Sequence, residues 1–255
     1  MKYFKSILLI LLLSSVAKSQ IPTIQWQKSF GGSNNETAKS IVQTPDGGYI
    51  SAGFSKSSDG NAIINHGDND FWIVKMNASG TFQWQRSLGG SGDDQANSIC
   101  TTSDGGYVVA GFTNSTDGDI TLNKGYADYW IVKLNSQGNI VWQKTFGGTS
   151  QDIATSVKQT TDGGYIVAGY SSSSNGDITG NHGLTTTDYW ILKLDSSGNL
   201  QWQKSLGGSN SERAFEIQQT TDGGYIIAGD TYSSNSGDVS TTTLGIRDFW
   251  IVKIG

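Results

Sequence analysis

Four carboxylates at one position of a tandem repeat are the side chains of this sequence best suited to chemistry. Each lies four residues after a Gly-Gly pair; they are Glu36, Asp94, Asp152 and Glu212. Carboxylate oxygens are preferred ligands of Ca²⁺, and carboxylates brought together repel one another unless a cation or a basic group offsets their charge. If the repeats close into a ring, these acids surround one face of it and form a candidate axial calcium site. The alternative is that each acid accepts backbone N–H hydrogen bonds from its own turn.

A second oxygen-rich pattern lies in the longest loop of the second repeat. Its alternating polar residues are Asp117, Asp119, Thr121, Asn123 and Asp128. The spacing is similar to that of a calcium-binding loop, but Leu122 stands where an EF-hand has glycine, and the final acid is aspartate. We therefore regard Asp117, Asp119 and Asp128 as a weaker calcium candidate, with side-chain turns that close a long loop as the alternative. Calcium is the only cofactor that the sequence suggests.

Catalysis would need residues that break the repeat, because one active site needs one nucleophile or base rather than four. His66 and His182 have no serine or cysteine partner evident in the sequence, and we interpret both as exposed loop residues. A hydrolase or lyase would need two or three carboxylates within about 5–10 Å. The acids that occur in single repeats are Asp93, Glu216 and Asp230. We assign no catalytic residue from the sequence.

Four tandem repeats must position these side chains. All eight tryptophans follow the repeat, in the motifs W-Q-[KR]-[ST]-[FL]-G-G and D-[FY]-W-I-[VL]-K, at spacings of 58 or 60 residues. Such a period is typical of propellers and solenoids. Each repeat contains four short strand-like runs, named A to D. In the third repeat they are residues 154–160 (A), 165–170 (B), 189–194 (C) and 200 onwards (D). Residues 20–255 are therefore predicted to form a single domain.

Two turns and one set of lysines complete each predicted repeat. Asp162-Gly163 between A and B predicts a type I′ hairpin turn. The four residues Asp195 to Gly198 between C and D suit a type I turn with glycine in the left-handed conformation. The lysine near the end of each C run is interpreted as an inter-blade ion-pair partner; these are Lys75, Lys133, Lys193 and Lys253.

The predicted fold class is all-β, a four-bladed β-propeller of four-stranded antiparallel blades. The chain begins with a lone D run, residues 24–30, and the last repeat stops after its C run, residues 249–254. We therefore expect the N-terminal strand to complete the last blade and close the ring, which removes two unpaired sheet edges. Small residues lie in runs A and B and every tryptophan in C and D, which suits blades that diverge outward. A stacked solenoid is the competing architecture.

The motifs together resemble those of a known class of repeats. W-Q-K-[ST]-[FL]-G-G, D-G-G-Y-[IV]-x-A-G and D-[FY]-W-I-[VL]-K, which cover residues 24–254, resemble the β-propeller repeats of secreted bacterial and archaeal surface proteins. The resemblance implies a propeller fold and export from the cell. It implies no activity, cofactor or site residue.

Residues 1–19 are predicted to be a signal peptide that is removed on export. Lys2 and Lys5 precede an apolar run, and Ala17-Lys18-Ser19 provides a small-x-small cleavage site. The expected location is extracellular or periplasmic. No second apolar run is long enough to cross a bilayer, so no membrane insertion is expected.

Charge and cysteine content exclude several classes of function. The formal net charge is −5, and it becomes −8 without the three lysines of the leader. An acidic surface argues against nucleic acid and against anionic membranes as partners, since both need basic side chains. Cys100 is the single cysteine, so no intrachain disulfide can form.

The first functional hypothesis is a secreted, non-enzymatic propeller that binds a glycan, a protein or a surface through its loop faces. The alternatives are a hydrolase or lyase that uses carboxylates near the central channel, and a purely structural repeat or a fragment of a larger propeller. We expect a monomer, with two chains joined in an eight-bladed ring as the alternative.

Overall fold

In this computed structural model, which describes residues 21–183 and 185–255, all regular secondary structure of the described residues is β-strand. The predicted signal peptide, residues 1–19, lies outside the described residues. The described part of the chain contains no helix of the length and apolarity that crossing a membrane requires. The all-β prediction is confirmed.

In the described part of the chain, fifteen strands form four antiparallel sheets, one per repeat, which we call blades 1 to 4. Blade 1 contains β1 (Glu36–Gln43), β2 (Tyr49–Ser55), β3 (Asp70–Met76) and β4 (Phe82–Leu88). Blade 2 contains β5 (Asp94–Thr101), β6 (Tyr107–Thr113), β7 (Asp128–Leu134) and β8 (Ile140–Phe146). Blade 3 contains β9 (Asp152–Gln159), β10 (Tyr165–Ser171), β11 (Asp188–Leu194) and β12 (Leu200–Leu206). Blade 4 contains β13 (Glu212–Gln219), β14 (Tyr225–Thr231) and β15 (Asp248–Ile254).

Within each blade, consecutive strands are hydrogen-bonded neighbours, so the order A-B-C-D predicted from the sequence is confirmed for blades 1 to 3. The central strands are buried on both faces: all seven residues of β7 and of β11 are buried. This explains why the C runs are almost continuously apolar. Such burial needs a neighbouring sheet on each side, and blades 2 and 3 each have two. The arrangement is β-propeller-like.

The A–B turn differs from the predicted type I′ turn. Gly163 has a φ of +80°, but among the described residues the one non-glycine with positive φ is Asn235, so Asp162 is not in the left-handed region. The turn is a three-residue loop in which Gly163 N donates to Thr160 O at 2.9 Å and Thr160 N to Gly164 O at 2.9 Å. The Asp162 carboxylate accepts from Gly164 N at 3.0 Å and stabilises this geometry. The predicted C–D turn is confirmed, with Gly198 at a φ of +78°.

Aromatic pairs join each blade to the next. The aromatic residue near the start of one C strand packs on the tryptophan of the next C strand. The pairs and their centroid distances are Phe71–Trp130 (4.5 Å), Tyr129–Trp190 (4.6 Å) and Tyr189–Trp250 (4.7 Å). Where the first residue is tyrosine, its hydroxyl also donates to the backbone carbonyl of that tryptophan. Buried aromatic pairs of this kind contribute beyond their buried area.

The D-strand tryptophans fill the wider part of each gap between blades. Each packs on the first tyrosine of the B strand in the following blade; the pairs are Trp84–Tyr107 (6.2 Å), Trp142–Tyr165 (5.6 Å) and Trp202–Tyr225 (5.8 Å). The indole of Trp142, in blade 2, also covers Gly198 in the C–D turn of blade 3. Every blade therefore rests on the tryptophan of the blade before it.

The expected ring closure is not formed. Blade 4 has three strands, and residues 24–30 form no strand. Instead Trp26 packs on Tyr49 with centroids 5.6 Å apart and lies over Gly80, the position that a D strand takes on the following blade. Phe249 on the far side of blade 4 is 93% exposed. The N-terminal segment is instead held against blade 1 by the Trp26–Tyr49 contact, and no sheet of the described residues contains strands of both blade 4 and blade 1.

Alanine substitutions at two glycines should separate backbone strain from indole packing. Gly198 and Gly163 have nearly equal φ values, but a Cβ on Gly198 would lie 2.9 Å from the Trp142 ring, whereas one on Gly163 would meet nothing within 4 Å. We expect Gly163→Ala to lower the free energy of unfolding by about 1–2 kcal/mol. Gly198→Ala should cost at least about 1 kcal/mol more, because the indole must shift. Urea unfolding measures both values, and equal losses would show that the indole contact is unimportant.

Candidate functional site

The four repeated acids lie at the first residues of β1, β5, β9 and β13, and each is bonded to its own blade. Asp152 shows the pattern: one carboxylate oxygen accepts from Gly148 N at 2.8 Å and from the Ser173 hydroxyl at 2.9 Å, and the other accepts from the Ser171 hydroxyl. Asp94, Glu212 and Glu36 likewise accept from the second glycine of their own Gly-Gly pair, at 2.8, 2.8 and 3.0 Å. The hydrogen bonds hold the turn that leads from one blade into the next.

The structure does not gather these four acids around one point. Each is bonded within a different turn, and the described residues contain no group of three or more His, Cys, Asp or Glu side chains that could hold a metal ion. The position of the acids follows from the need of each Gly-Gly turn for an acceptor, which is the alternative that the sequence left open.

Three of these acids each lie near a second carboxylate at the junction between two consecutive blades. We call each such junction a seam. At the seam between blades 2 and 3, a Cβ on Gly147 would lie 2.2 Å from Asp128 Oδ1 and 2.8 Å from Asp152 Oδ2. The two carboxylate oxygens thus lie against one glycine, and any larger residue would collide with them. At the seam between blades 1 and 2, Asp70 and Asp94 meet Gly89 in the same way. Asp188 lies against Gly207 at the third seam.

Burial raises the pKa of these seam carboxyls. Asp128 is fully buried, and desolvation raises its pKa to about 6, with a further contribution from the charge of Asp152. Within the described residues its Oδ1 has no hydrogen-bond partner. Desolvation also raises the pKa of Asp70, Asp94 and Asp188 above the ordinary value. Burial at the seams thus shifts the pKa of these carboxyls upward, against the hydrogen bonds that favour the ionised form.

Both histidines belong to the seams. His66 Nδ1 lies 2.7 Å from Asp70 Oδ2, and His182 Nδ1 lies 2.7 Å from Asp188 Oδ2. About a third of each histidine side chain is exposed. The histidine hydrogen bonds lower the pKa of their aspartates and offset part of the burial. Blade 2 has Lys124 at this position, and there the backbone N–H of Lys124 bonds Asp128 at 2.7 Å.

The weaker calcium candidates hold backbone groups rather than a common ligand. Asp117 accepts from Ser91 N at 2.7 Å, Asp119 from Gly89 N at 3.1 Å, and Asp128 from Lys124 N. The alternating oxygen pattern thus comes from a loop that wraps the preceding Gly-Gly turn. Asp177 and Asp238 bind Gly147 N and Gly207 N in the same way in blades 3 and 4. These hydrogen bonds tie each B–C loop to the body of its blade.

The three single-repeat acids have separate surroundings. Asp93 accepts from the Asn69 and Gln95 side chains. Glu216 forms an ion pair with Lys158 at 2.7 Å. Asp230 lies 3.4 Å from Arg247 in an open groove on the outer side of blade 4.

The C-strand lysines form ion pairs within a blade, so the inter-blade interpretation is wrong. Each binds the aspartate of the A–B turn in its own blade; the pairs are Lys75–Asp46, Lys133–Asp104, Lys193–Asp162 and Lys253–Asp222, at 2.8–2.9 Å. The first three lysines are almost fully buried, and strands B and C are adjacent, which brings each lysine beside the turn. Sequence reasoning missed this because the two residues are about 30 positions apart.

Large apolar side chains are exposed on the B–C loops, which all leave the same side of the blades. They are Ile63 and Ile64 in blade 1, Leu122 and Tyr126 in blade 2, and Leu244 and Ile246 in blade 4. We call these six residues the loop face. Their exposed fractions run from 51% for Ile64 to 96% for Leu244. These six residues lie on the loops of three different blades.

None of the residues that the structure describes covers the two ends of the blade array. A groove of about 390 Å³ on the outer side of blade 1 is lined by Trp26, Phe30, Ile41, Trp72 and Met76, among others. We call this the blade 1 end face. The blade 4 end face, on the outer side of the last sheet, carries Phe215, Arg247 and Phe249.

Comparisons with known proteins give a fold-level likeness only. No protein-family model matches the chain. It is 25% identical over 154 residues to the regulatory protein FlaEY of Caulobacter vibrioides; the match covers 57% of this chain but spans only 16% of that protein's length.

Solved structures with a similar arrangement include two glycosidases. A thermostable family-43 glycoside hydrolase has 12% identity and a TM-score of 0.42, over 88% of this chain and 72% of that one. A xylan β-1,4-xylosidase from Bacillus halodurans has 12% identity and a TM-score of 0.41, over 89% and 43%. Sqt1 from Chaetomium thermophilum has 14% identity and a TM-score of 0.38, over 80% and 43%. At these values the likeness does not extend to a site or an activity.

The seam carboxyl Asp128 should make stability depend on pH. Its folded pKa of about 6 exceeds the ordinary 3.8, so the ionised form opposes folding above about pH 6, and stability should rise as pH falls from about 7 to about 4. Asp128→Asn should reduce this rise by on the order of 2 kcal/mol, measured by urea unfolding across that range.

Asp104→Asn is the matched control for this titration. The Thr102 hydroxyl and Lys133 hold the pKa of Asp104 at about 2, so its carboxylate stabilises the fold above about pH 4, and that contribution is lost as the pH falls toward 2. This variant should keep the rise between pH 7 and 4. An unchanged profile in Asp128→Asn would contradict the assignment.

Proposed function

We propose that this chain is a non-enzymatic binding module that recognises a protein partner through its loop face. The observation that carries the proposal is the exposure of Ile63, Ile64, Leu122, Tyr126, Leu244 and Ile246 on loops that are otherwise polar. A binding role follows if these side chains together form a contiguous apolar surface, because soluble proteins rarely expose large contiguous apolar patches.

The loops that carry these residues are held in place before any partner binds. Asp119 and Asp238 bind the Gly-Gly turns beneath them, and Asn65 accepts from Gly67 N while donating to the Ser55 and Asp68 carbonyls. The buried Ile120 and Val239 anchor two loops in the core. A surface that is ordered in advance loses less entropy on binding, which favours affinity.

The side chains of the loop face favour a protein over a glycan. Five of the six are aliphatic and one, Tyr126, is aromatic. An apolar core with a polar rim is typical of protein interfaces. The acidic net charge of −5 favours a partner with a basic rim, through electrostatic complementarity.

Loop-face substitutions should abolish binding without unfolding the chain. The double variant Leu244→Ser/Ile246→Ser removes two largely exposed side chains and should weaken binding at least about tenfold, since interface residues of this kind contribute 1–2 kcal/mol each. The control Phe82→Ser/Leu200→Ser changes exposed apolar residues on the D strands, away from the loop face, and should bind normally. A panel of purified extracellular proteins and a glycan array, probed with all three proteins, measures this. Equal binding by both variants, or binding to glycans alone, would contradict the proposal.

A second candidate function, a glycoside hydrolase, is favoured by one observation. Asp128 and Asp152 form a carboxylate pair in which burial raises both pKa values, the pattern of a general acid beside a second carboxylate. Both side chains are fully buried beneath the Gly-Gly turn, so a substrate would have to open the seam to reach them.

The hydrolase candidate has a direct test. Release of reducing sugar from xylan, the substrate class named for one of the similar structures, should be absent if the chain is a binding module. If the hydrolase candidate is right, sugar is released and Asp128→Asn loses the activity. Asp195→Asn, which changes an exposed turn aspartate, serves as the control and should not affect it.

A further inference from the structure

The contacts that join consecutive blades occur three times inside the chain, and their unused halves lie at its two ends. Each internal seam joins a C-strand aromatic residue to the tryptophan of the next C strand. After three seams, Phe249 of blade 4 and Trp72 of blade 1 are left. Phe249 is 93% exposed, and Trp72 lines the groove of the blade 1 end face. A large aromatic side chain that protrudes into solvent matches a groove whose wall is the corresponding indole.

The strand edges at the two ends are also complementary. Blade 4 has no D strand beside β15, and residues 24–30 have the D-strand sequence Ile-Gln-Trp-Gln-Lys-Ser-Phe, compared with Leu-Gln-Trp-Gln-Lys-Ser-Leu in β12. This segment already takes a D-strand position on blade 1, because Trp26 packs on Tyr49 and over Gly80. The segment therefore packs on blade 1 as a D strand packs on the following blade, but no C strand of the described chain is hydrogen-bonded to it. An unpaired sheet edge is a template for pairing with another chain.

Polar partners repeat the same division. In blades 1 to 3 the C-strand tryptophan donates its indole N–H to a D-strand glutamine; these are Gln85, Gln143 and Gln203. The C-strand lysines Lys75 and Lys193 also bond D-strand glutamines, at 3.0 and 3.1 Å. For Trp250 and Lys253 of blade 4, the matching residues are Gln27 and Gln25 of the N-terminal segment. Lys253 is 41% exposed at its side chain, against 4% for Lys75.

One backbone hydrogen bond between consecutive blades also leaves its donor at one end of the array and its acceptor at the other. At the three seams the amide N–H of Asp94, Asp152 or Glu212 donates to a carbonyl just before the preceding C strand, at 2.6–2.7 Å. The acceptors are Asn69, Ala127 and Thr187. The corresponding pair at the ends of the chain is Glu36 N and Arg247 O.

We propose that a second copy of this chain docks head to tail, with the blade 4 end face of one copy against the blade 1 end face of the other. The N-terminal segment of the second copy then lies beside β15 of the first and becomes the fourth strand of blade 4. Phe249 enters the groove beside Trp72. The contact is heterologous, so two copies that use it twice close a ring of eight blades, and copies that use it once form an open chain.

A second copy fits better than the chain's own N-terminus. Trp26 holds residues 24–30 on blade 1, and the blade packing leaves blade 4 away from that position. Reaching its own β15 would require the segment to leave Tyr49 and Gly80. A second copy brings β15 to the segment where it already lies, and no internal contact is lost.

The mass of the purified chain in solution tests the proposal. Light scattering at micromolar concentration should give at least twice the mass of one chain. Phe249→Asp should reduce the mass to that of a monomer, because a charged group replaces the aromatic side chain in an apolar groove. Phe249 makes little contact within its own chain, so folding should be unaffected, and thermal unfolding checks this. Leu244→Asp changes a comparably exposed residue of the loop face and should keep the oligomer.

Cysteine pairs then identify the contact. By the register of β3 with β4, where Ile73 faces Arg86, Ile251 should face Lys28 of the partner copy. Directly opposed residues on antiparallel strands are close enough for a disulfide. A mixture of the Ile251→Cys chain and the Lys28→Cys chain should give a disulfide-linked dimer on mild oxidation, and Phe249→Asp in the first chain should prevent it.

Three results would overturn the proposal. The first is a monomeric mass for the unmodified chain. The second is an oligomer that Phe249→Asp leaves intact. The third is an intrachain disulfide in a chain that carries both Ile251→Cys and Lys28→Cys, together with no disulfide-linked dimer from the mixed single variants. This result would show that the chain closes on itself.

Discussion

The whole array depends on one contact, the packing of a C-strand aromatic residue against the tryptophan of the next C strand. Each C strand carries both kinds of residue at adjacent positions, as in Tyr129-Trp130, and adjacent residues of a strand point to opposite faces of the sheet. One dipeptide therefore contacts both neighbouring blades: Tyr129 packs on Trp190 of the next blade, and Trp130 packs on Phe71 of the preceding blade. Each internal blade therefore makes the same kind of aromatic contact on both of its faces. Its C strand is buried on both sides, as β7 is.

The seams built by this contact also confine the acids. A Gly-Gly turn exposes backbone N–H groups where the chain passes between blades, and an acid such as Asp152 satisfies one of them at 2.8 Å. Buried N–H groups must be paired, so the acid has a structural reason to recur. Its closeness to Asp128 is a consequence of blade stacking, and burial raises the pKa of both carboxyls. In the structure the acids stabilise the turns, at the cost of desolvation.

The sequence predicted what depends on neighbouring residues. Period-two patterns and tryptophan spacing located the strands to within about two residues, and Gly198 was correctly placed in a left-handed turn. The Asp162-Gly163 turn was misassigned because this pair suits two turn types, which differ in where the aspartate carboxylate bonds. The carboxylate pair Asp128 and Asp152 was not predicted, since a D strand and two turns separate its members. The position of blade 4 relative to blade 1 is likewise not a local property of the sequence, and the ring closure that was expected from it is not confirmed.

The outer faces of blades 1 and 4 do not resemble surfaces adapted to water. Exposed edge strands usually carry charges, bulges or prolines that prevent further pairing. β15 instead presents Phe249 and Ile251 to solvent, buries Trp250, and carries charges only near its two ends, at Asp248 and Lys253. Its composition is that of β7 and β11, which lie between sheets. The N-terminal segment, with Trp26 already fixed on Tyr49, has the composition of the strand that covers such an edge in every other blade. β15 and the N-terminal segment thus carry the two halves of the contact that the chain uses three times within itself.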